Sequence, residues 1–359
     1  MSQTMLGRIL SIQSHVSFGY VGGKAAVFPL QCLGYDVDVI NTVNFSNHSG
    51  YGRFGGTRTT AAELSGIFGL MEKNELLLCE RLLTGYVPGA EALSAVLGLA
   101  AKMRRQNTEL IYLLDPVLGD AGKLYVAPDT IPIYREALQY ASIITPNWFE
   151  VEILTDVRMT DLASLQRAIK ILHNEYHVPN VVISSIPLRE WLLKALPADV
   201  HTQVAPSDLD FLACIASSSH VTADTSTKPA VHVACIPCLP GYFSGVGDLF
   251  SALVLGHFNL PRTTSAPAGG APETPLSYAV SQALTKTHAI LMLTHQHAAS
   301  LPEADRLPTD EELDTHEPDR KVRRMRGREL RLIQGQDIIR GTRPSLYRQM
   351  MPWPSFWET

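Results

Sequence analysis

One segment of the sequence combines a tight turn with an acidic residue. Gly245-Val246-Gly247-Asp248 stands directly before the apolar run LFSALVLG, which predicts a buried helix. A helix N-terminus offers free N–H groups and the positive end of the helix dipole, so this segment predicts an anion-binding site. Taken alone, an acidic residue in a first helical turn more often only stabilises the helix. The chemistry of the segment therefore depends on what the fold brings beside it.

Two further polar segments each follow an apolar run that predicts a strand. The first is Asp115-Pro-Val-Leu-Gly-Asp120, and the second is Thr145-Pro-Asn147-Trp-Phe-Glu150. The carboxyl ends of the strands in an open α/β sheet form the edge at which ligands bind. Carboxylates beside an anion-binding helix terminus suit Mg²⁺ that bridges them to phosphates. Together the three segments predict magnesium-dependent phosphate chemistry at one edge of a sheet.

Short apolar runs bounded by turn residues alternate with stretches of helical periodicity. Continuous apolar runs are typical of strands in a parallel sheet that is covered on both faces. We therefore predict an α/β fold, with a central, mostly parallel sheet and helices on both faces. The predicted strands cover residues 8–12, 36–41, 81–85, 110–114, 142–145 and 181–184. The predicted helices cover residues 22–33, 90–105, 162–175 and 247–258.

The composition excludes several classes of protein. With 359 residues, 45% hydrophobic and 18% charged, the chain can bury a large core, which excludes a disordered chain or a coiled coil. A net charge of −5 argues against nucleic-acid binding, and no apolar run is long enough to predict a membrane span. The start of the sequence lacks a signal-peptide pattern, and the five scattered cysteines favour a reducing compartment. We expect a cytoplasmic protein.

Three segments interrupt the regular pattern. We predict one domain over 1–359, with insertions at 186–236 and 261–275 and a mobile segment at 300–320, because these stretches lack apolar periodicity. The basic run RKVRRMRGRELR at 320–331 predicts a solvated helix or strand face balanced by the preceding acids. A phosphate- or nucleic-acid-binding patch is the less favoured interpretation of this run.

Two segments resemble familiar motifs, a P-loop and a zinc site, but each lacks residues that the motif requires. The segment GYVGGKA at 19–25 is not a P-loop, because Phe18 replaces the first glycine and Ala25 replaces the Ser or Thr that binds magnesium. Cys235 and Cys238 form a single C-x-x-C pair without the second pair that a zinc site needs. We interpret the C-x-x-C pair as structural.

Six motifs follow one another along residues 8–258. They are SIQSHV from Ser11 with GYVG from Gly19, FSNHSGY from Phe45, LTGY from Leu83, DPVLGD from Asp115, ITPNxxE from Ile144 and GxGD from Gly245. In these motifs, their order and their spacing, the chain resembles the pyridoxal kinases of the ribokinase-like superfamily. The first two motifs distinguish pyridoxal kinases from sugar kinases of the same fold. A weaker similarity continues into ELRLIQGQDII at 329–339.

The resemblance implies roles for individual residues. Asp248 matches the catalytic base, and the backbone of Gly245 and Gly247 matches the anion hole for the transferred phosphoryl group. The residues that match substrate contacts or flank them are Ser14, Val21, His48, Ser49 and Tyr86. The residues that match the nucleotide side are Asp115, Asn147, Glu150, Ser185, Val246 and Tyr125, the last in the loop that covers ATP.

The resemblance also implies cofactors, an activity and an assembly. Asp115 and Glu150 match the Mg²⁺ side, and Asp120, Thr145 and Ser184 match the surroundings of a monovalent cation, K⁺ or Na⁺. The implied activity is the ATP-dependent phosphorylation of the 5′-hydroxyl of pyridoxal, pyridoxine and pyridoxamine in vitamin B6 salvage. Relatives are homodimers, so a homodimer is implied.

Three departures from the family pattern leave alternatives open. Ser49 stands where the family often has Thr, Val246 replaces the Thr of G-T-G-D, and the lid between Asp120 and Tyr125 is short. One alternative is a hydroxymethylpyrimidine kinase of thiamine synthesis. The other is a catalytically weak protein that binds vitamin B6 or a nucleotide.

Overall fold

The computed structural model describes residues 7–120, 122–201, 204, 210–219, 228–258, 273–307 and 310–358. Its strands are β1 (Arg8–Val16), β2 (Asp36–Phe45), β3 (Gly56–Arg58), β4 (Arg81–Thr84), β5 (Ile111–Leu114), β6 (Gly119–Asp120), β7 (Lys123–Leu124), β8 (Ile143–Ile144), β9 (Asn180–Pro187), β10 (Phe211–Ser218), β11 (Ala230–Pro237) and β12 (Met351–Pro352). Its helices are α1 (Gly23–Cys32), α2 (Ala61–Lys73), α3 (Ala90–Gln106), α4 (Thr130–Ala137), α5 (Trp148–Thr155), α6 (Leu162–Asn174), α7 (Glu190–Ala195), α8 (Ala198–His201), α9 (Val246–His257), α10 (Pro275–Ser300), α11 (Glu311–His316), α12 (Pro318–Gly327) and α13 (Gln336–Arg340).

Within this described part, ten strands form one sheet in the order β12-β11-β10-β9-β8-β5-β4-β1-β2-β3. The strands from β2 to β9 in this order are parallel, whereas β3 at one edge and β10, β11 and β12 at the other are antiparallel. The predicted mostly parallel sheet is therefore confirmed, and each predicted strand and helix has a counterpart.

Helices cover both faces of the sheet. Consecutive residues of a strand point to opposite faces, so Leu82 lies in one hydrophobic core and Leu83 in the other. The first core takes side chains from α2 to α7, and the second from α1, α9, α10 and α13. Helix α9 is thus buried against the central strands, which fixes the position of its N-terminus at the carboxyl edge of the sheet.

One of the predicted insertions contains sheet strands. The stretch 186–236 holds all of β10 and most of β11, which pair with each other and extend the sheet beyond β9. That it is an insertion stays a prediction. Because residues 213–216 of β10 are buried on both faces, they show no alternation, and the sequence conceals a sheet strand. Of the predicted insertion at 261–275, residues 261–272 lie outside the described residues.

The segment 300–320 and the basic run that follows are held by buried ion pairs. Asp314 of α11 accepts hydrogen bonds from Arg320 and Arg324 of α12, and all three side chains are buried. Part of the segment predicted to be mobile therefore forms α11 and the start of α12, and its mobility stays a prediction. The predicted solvated face is wrong at Arg320 and Arg324, although the acid that balances them does precede them. No helix among the described residues is long and apolar enough to cross a membrane.

Candidate active site

The N-terminus of α9 approaches another loop closely enough to require a glycine. Gly245 caps the helix with a φ of +80°, and a Cβ there would lie 2.0 Å from the carbonyl oxygen of Tyr20. Val246 and Gly247 form the first turn, so their N–H groups have no partner within the helix. The predicted turn and helix start are confirmed, and they offer an anion the free backbone donors of a helix terminus.

Asp248 lies in the first turn of α9, beside those donors. Its Oδ2 accepts a hydrogen bond from the backbone N–H of Gly22 at 2.7 Å. Burial raises the pKa of the Asp248 carboxyl, and the hydrogen bond from Gly22 opposes that rise only in part. A carboxylate with a raised pKa is a stronger base than an exposed one, which suits proton abstraction near neutral pH.

A second group of acidic side chains faces Asp248 from the carboxyl ends of neighbouring strands. Asp115 follows β5, and its pKa rises to about 7 because of burial and the nearby charge of Asp248. Glu150 lies in the first turn of α5, and burial together with Asp115 raises the pKa of its carboxyl. Asn147 caps α5 and accepts the N–H of Glu150 at 3.0 Å, while Glu150 Oε2 accepts the N–H of Asn147 at 2.8 Å.

Hydroxyl groups connect these acids to α9. Ser251, one turn after Asp248, donates to Asp115 Oδ2 at 3.1 Å and lies 2.8 Å from Thr145 Oγ1. The N–H of Ser184, within β9, donates to the carbonyl of Pro146 at 3.2 Å. These contacts join the residues after β5 and β8 to α9 and to β9.

The residues that the resemblance assigned to substrate contacts come from the opposite half of the sheet. Ser14 lies near the end of β1, Tyr86 follows β4, and His48 and Ser49 belong to the loop after β2. The Nδ1 atom of His48 accepts the N–H of Gly50 at 3.2 Å. This half of the site is built from loops, whereas strand ends and helix starts build the acidic half.

A cavity of about 620 Å³ joins the two halves. The structure places every residue that the sequence assigned to the site on its wall; they are Ser14, Val21, His48, Ser49, Tyr86, Asp115, Asp120, Tyr125, Thr145, Asn147, Glu150, Ser184, Ser185, Gly245, Val246, Gly247 and Asp248. Apolar side chains of β10, β11 and α10 complete it, and sequence reasoning missed them; they include Leu212, Ile236, Leu284 and Leu291. The strands β10 and β11 were hidden in a predicted insertion, and the polar Thr287 and His288 of α10 carried no motif.

The charges of the acidic half suit a divalent cation. Among the described residues, no Lys or Arg forms an ion pair with Asp115, Glu150 or Asp248. The same residues contain no group of three or more His, Cys, Asp or Glu side chains arranged as a metal cage. Mg²⁺ is usually bound by one or two carboxylates together with substrate phosphates, and Asp115 with Glu150 fits that pattern.

Comparisons with known proteins agree with this geometry. The family described as phosphomethylpyrimidine kinase matches residues 79–200. The pyridoxal kinase of Arabidopsis thaliana is 41% identical over 254 residues, which cover 70% of this chain and 74% of that protein. The pyridoxal kinase of Sus scrofa is 36% identical over 253 residues, with coverages of 69% and 74%.

A solved structure extends the likeness to nearly the whole chain. The pyridoxal kinase from Leishmania donovani in complex with ADP and pyridoxine superposes with a TM-score of 0.73 at 29% identity. The superposition covers 97% of this chain and 99% of that one. With its ribokinase-like sheet, its acidic site at the start of α9 and these relatives, the chain belongs to the pyridoxal kinase family.

Proposed function

We propose that the protein transfers the γ-phosphoryl group of ATP to the 5′-hydroxyl of pyridoxal, and also of pyridoxine and pyridoxamine. The observation that carries the proposal is the position of Asp248, a half-buried carboxylate that shares a cavity with free helix N–H groups and with loop residues able to hold a small aromatic ring. The product, pyridoxal 5′-phosphate, places the enzyme in vitamin B6 salvage.

In the proposed step, Asp248 accepts the proton of the 5′-hydroxyl as its oxygen attacks the γ-phosphorus. A bond forms from that oxygen to phosphorus, the bond from phosphorus to the β,γ-bridging oxygen breaks, and ADP leaves. The N–H groups of the Gly245–Gly247 backbone stabilise the charge on the transferred group. Because a hydroxyl is a weak nucleophile, positioning and charge stabilisation supply most of the acceleration.

The two halves of the cavity divide the substrates. We assign the vitamer ring to Ser14, Ser49 and Tyr86, with His48 and Val21 flanking it. We assign the nucleotide to the other side, where the residues are Asp115, Asn147, Glu150, Ser185, Val246 and Tyr125. Both assignments are supported by the shared cavity and by the relatives that bind ADP and pyridoxine.

Two cations complete the proposal. Mg²⁺, held by Asp115 and Glu150, would neutralise charge on the ATP phosphates. Glu150 presents its oxygens to the N–H groups of Leu118 and Asn147, at 2.9 and 2.8 Å, so Asp115 is the freer of the two carboxylates. We assign a monovalent cation, K⁺ or Na⁺, to the surroundings of Asp120, Thr145 and Ser184.

A second candidate function is the phosphorylation of hydroxymethylpyrimidine, which the match to phosphomethylpyrimidine kinases at residues 79–200 favours. That match includes Asp115, Asn147 and Glu150, but Ser14, His48 and Asp248 lie outside it. The superposition on the pyridoxal kinase from Leishmania donovani covers 97% of this chain. We therefore rank pyridoxal ahead of the pyrimidine.

The deciding experiment measures ADP release by the purified protein with ATP and Mg²⁺. The three vitamers and hydroxymethylpyrimidine are compared, each with and without K⁺ or Na⁺. We expect turnover with the vitamers that exceeds turnover with the pyrimidine at least tenfold. A preference for the pyrimidine would reverse the ranking, and binding without turnover would identify the catalytically weak binding protein.

The assembly and the compartment are also proposals. We propose a homodimer, and two apolar side chains of α2, Ile67 and Leu70, support it because they lie exposed one turn apart. We propose the cytoplasm as the compartment, because all five cysteines lie in the described residues and are free thiols.

A further inference from the structure

Glu329 is the only acidic residue in the basic run 320–331, and it points into the protein. It follows α12, and its side chain is 12% exposed. Its Oε1 accepts hydrogen bonds from Tyr51 Oη at 2.8 Å and from His48 Nε2 at 3.0 Å, and its Oε2 accepts the N–H of Tyr20 at 2.8 Å. The three donors belong to two loops that lie about 280–310 residues earlier in the chain.

The first of these loops lies between Glu329 and the catalytic base. On one side, Gly19 and Tyr20 contact the Glu329 carboxylate; Gly19 has a φ of +94°, and a Cβ there would lie 2.5 Å from Oε1. On the other side, the N–H of Gly22 donates to Asp248. Glu329 therefore holds one end of a short loop whose other end holds Asp248.

The second loop carries the substrate-side residues. Because His48 Nδ1 accepts the N–H of Gly50, the proton of the neutral ring lies on Nε2, from which it is donated to Glu329. Ser244, directly before the α9 cap, lies 3.3 Å from the same Nδ1 atom. The carboxylate thus fixes the tautomer and orientation of a ring on the cavity wall.

Burial raises the pKa of the Glu329 carboxyl, but the hydrogen bonds from His48, Tyr51 and Tyr20 outweigh that effect, and its pKa lies below the usual value. The group is therefore ionised at neutral pH and can accept at both oxygens.

We propose that Glu329 is a positioning residue that joins the vitamer-binding loop at His48 and Tyr51 to the loop that orients Asp248. This inference rests on the proposed function. In this proposal the segment after α12 helps to set the geometry of phosphoryl transfer. It acts through His48, on the cavity wall, and through the loop of Gly22, which contacts Asp248.

A glutamine cannot replace this carboxylate. Both oxygens of the Glu329 carboxylate act only as acceptors. A glutamine amide has one acceptor oxygen, and its NH₂ group would point at one of the donors that the carboxylate now accepts from. In Glu329→Gln, either Tyr20 on one side or His48 and Tyr51 on the other would face a donor instead of an acceptor. Because the change keeps the volume of the side chain, it tests the hydrogen bonds more than the packing.

The test compares steady-state kinetics of the wild type, Glu329→Gln and a matched control, Asp319→Asn. Asp319 also joins α12 to the loop after β2, through Arg53 at 2.6 Å, but its side chain is 86% exposed. We expect kcat/KM for pyridoxal to fall about 10- to 100-fold in Glu329→Gln, since a hydrogen bond to a charged group is worth that much. KM for ATP should stay within about twofold, and the control should match the wild type.

Tyr51→Phe provides a second variant in case Glu329→Gln unfolds. It removes one of the three donors and should lower kcat/KM for pyridoxal about three- to tenfold, and it should add little to Glu329→Gln when the two are combined. An equal rise in KM for pyridoxal and in KM for ATP, or additive effects of the two changes, would assign Glu329 a structural role only. If the wild type phosphorylates pyridoxal and Glu329→Gln retains its kcat/KM, this inference is wrong while the function stands. If the wild type does not turn over pyridoxal, both are wrong.

Discussion

The two ends of α9 face side chains of opposite charge, and all of these side chains are buried except Asp248, which is half-buried. At the N-terminal end, Asp115 and Asp248 are acids whose pKa is raised by burial. At the C-terminal end, Arg81 donates to the carbonyl of Leu255 at 2.8 Å, and Lys286 donates to His257 Nε2 at 2.8 Å. Acids beside the positive end of a helix and bases beside the negative end both complement the helix dipole.

The two ends differ in what satisfies the charges. At the C-terminal end, the protein supplies the partners itself: carbonyls of the last turn and the ring of His257. Burial lowers the pKa of Lys286 to about 8 and that of His257 to about 3. At the N-terminal end, the acids border a cavity and have no ion-pair partner among the described residues. Acids that border a cavity without a counter-charge indicate that a bound ligand supplies the counter-charge. Charged groups that find their partners inside a filled core indicate a structural role.

The substitution Asp248→Asn, at the N-terminal end of α9, is expected to have the largest effect on activity. We expect a loss of at least about 10²-fold in kcat, because general-base catalysis contributes that much, while pyridoxal and ATP still bind. Because the raised pKa means that folding disfavours the ionised acid, the variant should unfold at an equal or higher temperature than the wild type. Turnover and thermal unfolding test both parts. A folded variant with near-normal kcat would remove Asp248 from the mechanism.

Lys286→Met tests the interpretation that the charges at the C-terminal end of α9 are structural. The folded pKa of about 8 lies below the ordinary 10.5, so protonation favours unfolding; the penalty is complete below pH 8 and vanishes as the pH approaches 10.5. We expect the variant to be more stable by about 1–3 kcal/mol at pH 7, with the gain shrinking at pH 9.5. Urea unfolding at both pH values provides the measurement, and Lys73→Met, on the exposed end of α2, is the control. A gain that does not depend on pH would show that the ammonium group is not the cause.

Two substitutions sharpen the division of the cavity into halves. Ser14→Ala and Tyr86→Phe should each raise KM for pyridoxal about tenfold with KM for ATP little changed, because a hydrogen bond lost at a buried site costs roughly 1–3 kcal/mol. The comparison of the two KM values in each variant is the readout. A selective rise in KM for ATP would mean that these residues belong to the nucleotide half.

The smallest effect is expected from Val246→Thr, in the first turn of α9. The change is close in volume and adds a hydroxyl beside the free N–H groups. If ATP phosphates lie there, the hydroxyl gains a charge-assisted hydrogen bond, and KM for ATP should fall about threefold with KM for pyridoxal unchanged. A stable variant with impaired ATP use would instead indicate that the phosphate site depends on an apolar contact at Val246.

Sequence reasoning succeeded where the signal is local. The glycines and apolar run of α9, and the apolar strands that precede Asp115 and Thr145, each lie within a dozen residues, so their pattern alone predicts the strand, the turn and the helix. The elements that carry Asp115, Thr145 and Asp248 could therefore be predicted from local pattern, whereas the resemblance to pyridoxal kinases supplied the substrate-side residues. Nothing in the sequence gives the distances between them.

It failed where the signal depends on contacts that only the fold makes. The strands β10 and β11 are recognised only through their pairing in the sheet, because burial on both faces removes the alternation. Arg324 resembles a surface residue until Asp314 is placed beside it, and Glu329 is one acid among many bases until the fold brings His48 to it. Side-chain contacts of this kind leave no periodicity in the sequence from which to infer them.

The pairing of β12 with β11 has a consequence for the order in which the fold can form. His232 of β11 pairs with Pro352 of β12, and Trp353 and Phe356 behind it enter the first core, so this contact joins segments that are far apart in the chain. A chain truncated near residue 320 would hold Asp248 and the loops of Ser14 and His48 but lack β12 and Glu329. Because such long-range contacts are slow to form, we expect the Glu329 contacts to be completed late in folding.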